Sequence, residues 1–413
     1  MSFRLIRNIL SICLSGAAAT LGAAGLKMEC EPYLRYINNQ TAAVTFIMAA
    51  EKPTECYVEF SSPQRPQSRI KMQSQSVAPG KWVYNAEIKD LAAGSNCTYA
   101  LVAANGDRSG EYKFSMPGRD QIEHTILLIS DVHERSKVMG QMIRSGRKAG
   151  ASLCVLLGDQ VGRFEDDSYN TMMNGFLSEL CKQAQGTLPV TVLRGNHDYY
   201  GKNHPIWHKF FPCENDRTYF SLRKGNVFYI FLDSGNAYQP EMCRRLFAHQ
   251  RKWLEAELQS EACRTATFRV VVVHYPSHAI AESVAKVTPG PLLKGLLTGT
   301  DPDKRIHLML SGHRHRYIRT DAFSNKFKVN SSGFSNKTPG LPGVPGKNYP
   351  YTLVIADSFN HGGSADFNYF LVNASADRLH VQSLDEKNRK IDEFTIAPDG
   401  KVTDMILVKE FTN

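Results

Sequence analysis

Between residues 28 and 118 the apolar positions come in short bursts: "AAVTFIMAA", "CYVEFSS", "KWVYNAEI", "CTYALVAA" and "EYKFSM", separated by turn residues. Runs of this length, rich in Val, Tyr, Thr and Phe, predict strands of a small antiparallel β sandwich. Past "MPGRD", at 116–120, the pattern changes. The runs "HTILLIS", "SLCVLLG", "LPVTVLR", "VFYIFLD", "FRVVVVH" and "HLMLSG" are continuously apolar, as strands covered on both faces are. Between them, residues 136–149, 168–184 and 247–260 have helical periodicity, clearest in "HQRKWLEAELQS". Strand alternating with helix predicts a largely parallel α/β sheet. The boundary falls near Pro117, which gives a sandwich over 28–118 and an α/β domain over 120–413.

The first residues follow a different logic. Arg4 and Arg7 precede an apolar stretch that is uncharged until Lys27, with Ala23, Ala24 and Gly25 at its end. A basic start, an apolar middle and a small-residue exit predict a secretory signal over residues 1–25, and hence a secreted or periplasmic protein. Left uncleaved, residues 8–26 come close to the length of a membrane span, but their Ala, Gly and Ser content makes a poor anchor.

Composition narrows the function classes. At 413 residues, 42% hydrophobic and 22% charged, the chain has the make-up of an ordinary folded protein of about two domains. Its net charge of +9 favours anionic ligands, but no dense basic run marks a nucleic-acid surface. Nine cysteines include Cys13 in the leader, so an even number remains, compatible with disulfides among Cys30, Cys56, Cys97, Cys213, Cys243 and Cys263. Cys154, inside "SLCVLLG", is expected to pack as a small hydrophobe. Five N-x-S/T sites occur, at Asn39, Asn96, Asn330, Asn336 and Asn373. "PGLPGVPG", at 339–346, has glycine at collagen spacing but stops at once, so a stiff surface loop is expected.

The chemistry gathers where the apolar runs end. "LLIS" leads to Asp131 and His133, "VLLG" to Asp159, "TVLRG" to Asn196, His197 and Asp198, "VVVV" to His274, and "LMLSG" to His313 and His315. Open α/β sheets build their sites at the carboxyl ends of strands. Each motif alone has an ordinary reading as a turn, a cap or a core histidine. Five buried strands each followed by a ligand-type residue do not, because so many unpaired polar groups would be costly to bury. Oxygen and imidazole donors without thiolate suit Fe, Mn, Zn or Co, and seven such residues suit two ions sharing a carboxylate, for which Asp159 is the candidate.

In order, "DVH", "GD", "GNHD", "VVVVH" and "GHRH" resemble the motif series of the calcineurin-like metallophosphoesterases. The resemblance implies a four-layer α/β/β/α fold. It also implies Asp131, His133, Asp159 and His315 around one metal, and Asp159, Asn196, His274 and His313 around a second. The implied reaction is hydrolysis of a small phosphate ester by in-line attack of a hydroxide held between the ions, about 3.5 to 4 Å apart. His197 would protonate the leaving oxygen, with Asp198 orienting it. The preceding sandwich resembles the fibronectin type III-like domain of purple acid phosphatases. Those enzymes carry an iron-binding tyrosine where this chain has Gly162, and glycine where it has His133, so no coloured iron–tyrosinate site is expected and His133 takes that tyrosine's place. Arg163, Arg194 and Arg314 are possible phosphate contacts, and Tyr199, Tyr200 and Trp207 possible stacking groups. A binding or adhesion protein with an inert core is the rival reading. It expects degenerate ligand motifs, and here all seven positions are filled.

Overall fold

The computed structural model describes residues 26–213, 217–276, 296, 304–315, 317–324, 326–329, 350–356, 367–406 and 409–412. The leader, "PGLPGVPG", Asn330 and Asn336 lie outside the described residues.

The chain first builds a sandwich of two four-stranded antiparallel sheets. One has the order Tyr33–Asn38, Thr41–Ala49, Lys81–Ile88, Gln73–Ala78; the other has Arg65–Lys71, Cys56–Ser62, Asn96–Ala103, Tyr112–Ser115. Strands Arg65–Lys71 and Gln73–Ala78 escape the hydrophobic pattern because they are exposed edges of polar composition. Tyr33–Asn38 is also an edge, but a buried one: the Tyr33 hydroxyl donates to the Phe210 carbonyl at 2.5 Å and Arg35 to that of Pro212 at 3.1 Å.

The second part holds two larger sheets. The seven-stranded sheet runs Val190–Leu193, Ala151–Leu157, His124–Ile129, Asn368–Ala374, Leu379–Asp385, Lys390–Ile396, Val402–Asp404. The eight-stranded sheet runs Phe220–Lys224, Val227–Leu232, Phe268–Val273, Leu308–Ser311, Thr352–Ile355, Ile318–Thr320, Lys326–Val329, Lys409–Thr412. The period of two along each strand sorts their side chains. Ile126, Leu128, Val155 and Leu157 share one core with Tyr229, Phe231, Val270 and Val272 of the other sheet. Leu127, Ile129, Cys154 and Leu156 turn the other way, onto Met139, Ile143 and the segment 168–184. On the far side Phe228, Ile230, Val271 and Val273 pack against Leu254 and Leu258. Helix, sheet, sheet and helix thus stack in four layers, as the continuous apolar runs require. Each such side chain contributes about 1.5–3 kcal/mol by burial.

Three expectations need correction. The sheets are mixed, not largely parallel. Strand pairs are parallel where a helix or long segment returns the chain, but Asn368–Ala374, Leu379–Asp385 and Lys390–Ile396 are joined by tight turns, which force antiparallel pairing. The third helix runs Pro240–Glu257, starting ahead of residue 247 with proline in its first turn, where a missing N–H is harmless. All eight described cysteines are free thiols, so the pairing that their even number allows is not found among them. Cys154 is fully buried, and burial pushes its thiol up to about 12, as suits a packing residue.

Candidate metal centre

The carboxyl ends of five strands meet at one rim. His124–Ile129, Ala151–Leu157 and Val190–Leu193 deliver Asp131, His133, Asp159 and Asn196 from one sheet; Phe268–Val273 and Leu308–Ser311 deliver His274, His313 and His315 from the other. The loops continue the parallel ladder past the strand ends, with the Asp131 amide on the Gly158 carbonyl and the His133 amide on that of Asp159, both 3.0 Å. Five of these residues bend sharply there. Asp131, His133, Asp159, His313 and His315 all have φ between 42° and 70°, the left-handed region that non-glycine residues avoid. Strain of this kind persists where surrounding structure holds it, typically at functional sites.

The motif glycines follow from how closely the loops approach. A Cβ at Gly158, where φ is +104°, would lie 2.5 Å from the His274 ring; one at Gly312 would lie 2.3 Å from Asp131 Oδ2. Neither position admits another residue without moving a candidate ligand.

Two clusters result, each with its donor atoms within 4.8 Å of one another: Asp131, His133, Asp159 and His315, and Asp159, His274 and His313. Asp159 belongs to both. Its Oδ1 accepts the His197 amide at 2.8 Å, while Oδ2 lies 3.2 Å from His274 Nε2 and 3.8 Å from His133 Nε2. Asp159 Oδ2 and His274 Nε2 are both buried and, beyond this ion contact, have no hydrogen-bond partner. Asn196 Oδ1 is buried and unpartnered as well, its amide nitrogen donating to the Tyr200 hydroxyl at 3.1 Å. His133 Nε2 and His315 Nε2 face each other at 3.3 Å. Buried acceptors aimed at shared space are costly unless a cation satisfies them, so the residues fit metal binding.

Electrostatics agree for His133 and His313, whereas His274 must give up a proton to ligate. Burial holds the imidazoles of His133 and His313 below their ordinary range, that of His313 at about 3, so both are neutral donors. Burial alone would do the same to His274, but Asp159 and Asp131 beside it win and raise it to about 9. His274 Nδ1 lies 3.0 Å from the Leu157 carbonyl, which turns Nε2 into the site.

Other candidates fall differently. His197 is half-buried at the edge of the first cluster, its ring 4.8 Å from that of His133, with Nδ1 2.9 Å from the Gly162 carbonyl. Asp198 does not orient that ring, contrary to expectation. Its carboxylate accepts the amides of Asp159 at 2.8 Å, Gly195 at 2.9 Å and Gln160 at 3.1 Å, and burial with the Asp159 charge pushes it up to about 7. It ties two strand ends together beneath the site. Gly162 donates its amide to Glu134 Oε1 at 3.1 Å. Arg194 is buried over the Tyr199 ring and donates to the Asp198 carbonyl at 2.6 Å, so it props the loop from behind; Arg163 pairs with Glu165 at 2.9 Å. Tyr199 and Trp207 are core residues, whereas Tyr200 is half-buried with its ring 4.8 Å from that of His197. The sequence reading passes over Tyr238, whose ring lies 6.3 Å from that of Tyr200. The usable signal was its place after another buried run, "VFYIFLD".

Comparison with known proteins places this arrangement. The family described as Calcineurin-like phosphoesterase matches residues 124–317. CPPED1, a serine/threonine-protein phosphatase of Bos taurus, is 23% identical over 164 residues, 39% of this chain and 52% of the relative. The chain thus spans about half the length of that curated relative. A purple acid phosphatase, PPD1, from yellow lupin (Lupinus luteus) seeds superposes with a TM-score of 0.62 at 16% identity, over 89% of this chain and 74% of that one; the likeness is one of fold. A dimetal phosphatase from Danio rerio superposes with a TM-score of 0.46 at 13% identity, over 67% of this chain and 99% of that one. All seven candidate ligands fall inside the segment that this family model matches, behind the β sandwich.

Proposed function

We propose that the protein is an exported phosphohydrolase that binds two transition-metal ions of the Fe, Mn or Zn kind and cleaves phosphate esters. One observation carries the reading: buried Asp159 Oδ2, Asn196 Oδ1 and His274 Nε2 have no hydrogen-bond partner, and Asp159 and His274 sit in the two clusters of candidate donors. Bound metal ions supply positive charge for the phosphate and acidify a water for in-line attack. The chain's own groups do the rest. Asp159 is the shared carboxylate, His197 Nε2 offers a proton to the departing oxygen, and the strained loops hold the donors in place before substrate arrives. Export rests on the leader pattern, with a fibronectin type III-like sandwich in front of the catalytic domain. Of the described N-x-S/T sites, Asn96 is exposed, whereas Asn39 holds the Arg223 backbone and Asn373 accepts from Thr125.

The test is metal content with hydrolysis of 4-nitrophenyl phosphate. Reconstituted protein is expected to hold two ions, to turn over the ester, and to lack a visible tyrosinate band because Gly162 offers no phenol. Asp159→Asn should empty both metal positions and His133→Ala chiefly one. A single ion, or equal losses in the two variants, overturns the shared-carboxylate assignment; no hydrolysis with metals bound overturns the enzymatic one.

A further inference from the structure

Exposed aromatic side chains are common and need no explanation when they stand alone. Tyr238 does not stand alone. It is 74% exposed, the most exposed large hydrophobic residue among those described. Ring contacts join it to the metal centre. The Tyr238 ring lies 6.3 Å from Tyr200, Tyr200 lies 4.8 Å from His197, and His197 lies 4.8 Å from His133, a candidate ligand.

The loop under it is pinned, which rules out a ring exposed merely because its backbone is slack. The Gly235 amide donates to Asp233 Oδ1 at 2.7 Å, the Tyr238 amide to Asn236 Oδ1 at 3.0 Å and the Gln239 amide to the Asn236 carbonyl at 2.8 Å. Below, Gln250 clamps Asp233 at both its amide and its carbonyl, 2.8 Å each. A fixed backbone thus presents a ring with an open face beside the position where a leaving group departs. The planes of Tyr200 and Tyr238 are inclined at 55°, so the two rings do not stack on each other.

We propose that Tyr238, backed by Tyr200, is a stacking platform for a planar ring carried on the alcohol part of the phosphate ester, and that the substrate class is nucleoside monophosphate-like. This deepens the phosphohydrolase reading and rests on it. Spacing selects the class. Among the described ring pairs Tyr238 meets Tyr200 and not His197, so it stands one ring further out than Tyr200, and a ring carried away from the ester oxygen suits it better than one bonded directly to that oxygen. A ring held a sugar's length from phosphorus reaches it. Stacking on an aromatic face is tolerant of base identity, so the platform recognises a base without reading which one.

The experiment compares two phosphates that share one leaving oxygen and differ only in the ring: adenosine 5′-monophosphate and ribose 5-phosphate. Each is titrated as a competitor of 4-nitrophenyl phosphate hydrolysis by the metal-loaded full chain, a readout that holds whether or not the competitor is itself cleaved. Adenosine 5′-monophosphate should bind about tenfold more tightly, the worth of one base stacked on one ring. Tyr238→Ala should remove that advantage by weakening the nucleotide alone, and Tyr238→Phe should keep it. Equal inhibition by the two compounds in the wild type, or a Tyr238→Ala variant that weakens both alike, overturns the platform. If 4-nitrophenyl phosphate is not cleaved, the hydrolase reading has failed instead. Calorimetric titration of the same two compounds into the metal-loaded chain then decides the platform independently, on the same criteria.

Discussion

His197 is held by one nitrogen only. With Nδ1 2.9 Å from the Gly162 carbonyl, that nitrogen carries a proton, and Nε2 is left to face the site. Among the described residues no candidate metal cluster includes it, so its role separates from metal holding. His197→Ala is expected to retain both metals and lower turnover by ~10²- to 10⁴-fold, the usual worth of a positioned acid. An alkyl phosphate, whose leaving group needs the proton most, should suffer more than an aryl one. Turnover of both esters, with metal content measured in parallel, checks this; loss of a metal, or equal slowing of both esters, would make His197 a ligand or a phosphate clamp.

At the scale of elements, the site depends on strand ends that are locked to one another, and Asp198 is the lock. Its carboxylate closes four backbone amides, those of Asp159, Gln160, Val161 and Gly195, just past the ends of Ala151–Leu157 and Val190–Leu193. Asp198→Ala leaves those buried donors unpaired and should cost about 3 kcal/mol or more of stability. Asp198→Asn, which keeps one acceptor oxygen, should cost less. Chemical denaturation of the metal-free variants measures both. Equal losses would mean that packing volume, not hydrogen bonding, is what Asp198 supplies. The motif spacing made the GNHD loop legible in the sequence, but it could not say that the aspartate serves the backbone rather than the histidine ring. The loop's three-dimensional turn decides that.

At the scale of the whole molecule, the sandwich and the α/β part share apolar cores. Tyr33, Ile47 and Val83 of the sandwich lie in one cluster with Trp207, Phe210 and Phe211, and the Tyr99 hydroxyl donates to the Gly186 carbonyl at 2.8 Å. Removing residues 28–118 strips that cover, so the remaining 120–413 piece is expected to be insoluble, read by sedimentation after expression; a soluble, metal-binding piece would show the sandwich to be dispensable. Acid should also weaken the fold, because two buried histidines are built to be neutral. His307 Nδ1 accepts the Arg269 amide at 3.2 Å while Nε2 faces the Pro398 carbonyl at 3.0 Å, and burial, aided by Arg269 and Arg305, lowers the ring to about 4. His124 is likewise lowered to about 4 by burial and Lys224. Between pH 6.5 and about 4 the unfolded chain binds these protons and the folded one does not, so stability present above that window is lost as pH falls through it. Each histidine contributes about 1.4 kcal/mol per pH unit to the slope. His307→Gln, which can donate and accept in the same places, should flatten the slope by that amount in chelator-treated protein. An unchanged slope would overturn the assignment.

What the amino-acid order determined by itself was local or periodic. Continuous apolar runs specified strands covered on both faces, and the residues just past each run specified which chemistry would stand at the strand ends, because a strand's carboxyl end is set by its own sequence. The polar edge strands Arg65–Lys71 and Gln73–Ala78 left no hydrophobic mark, and the antiparallel flank Asn368–Asp404 of the seven-stranded sheet came from turns rather than from periodicity. Tertiary structure alone decided how side chains of the same type divide their work. Asp159 and Asp198 are both buried carboxylates, yet one turns an unpaired oxygen to two clusters of imidazoles while the other is filled by backbone amides. Tyr199 and Tyr200 are neighbours, yet one is sealed in the core and the other stands beside His197. Those differences depend on which segments, far apart in the chain, happen to meet at each atom, and no local pattern encodes that meeting.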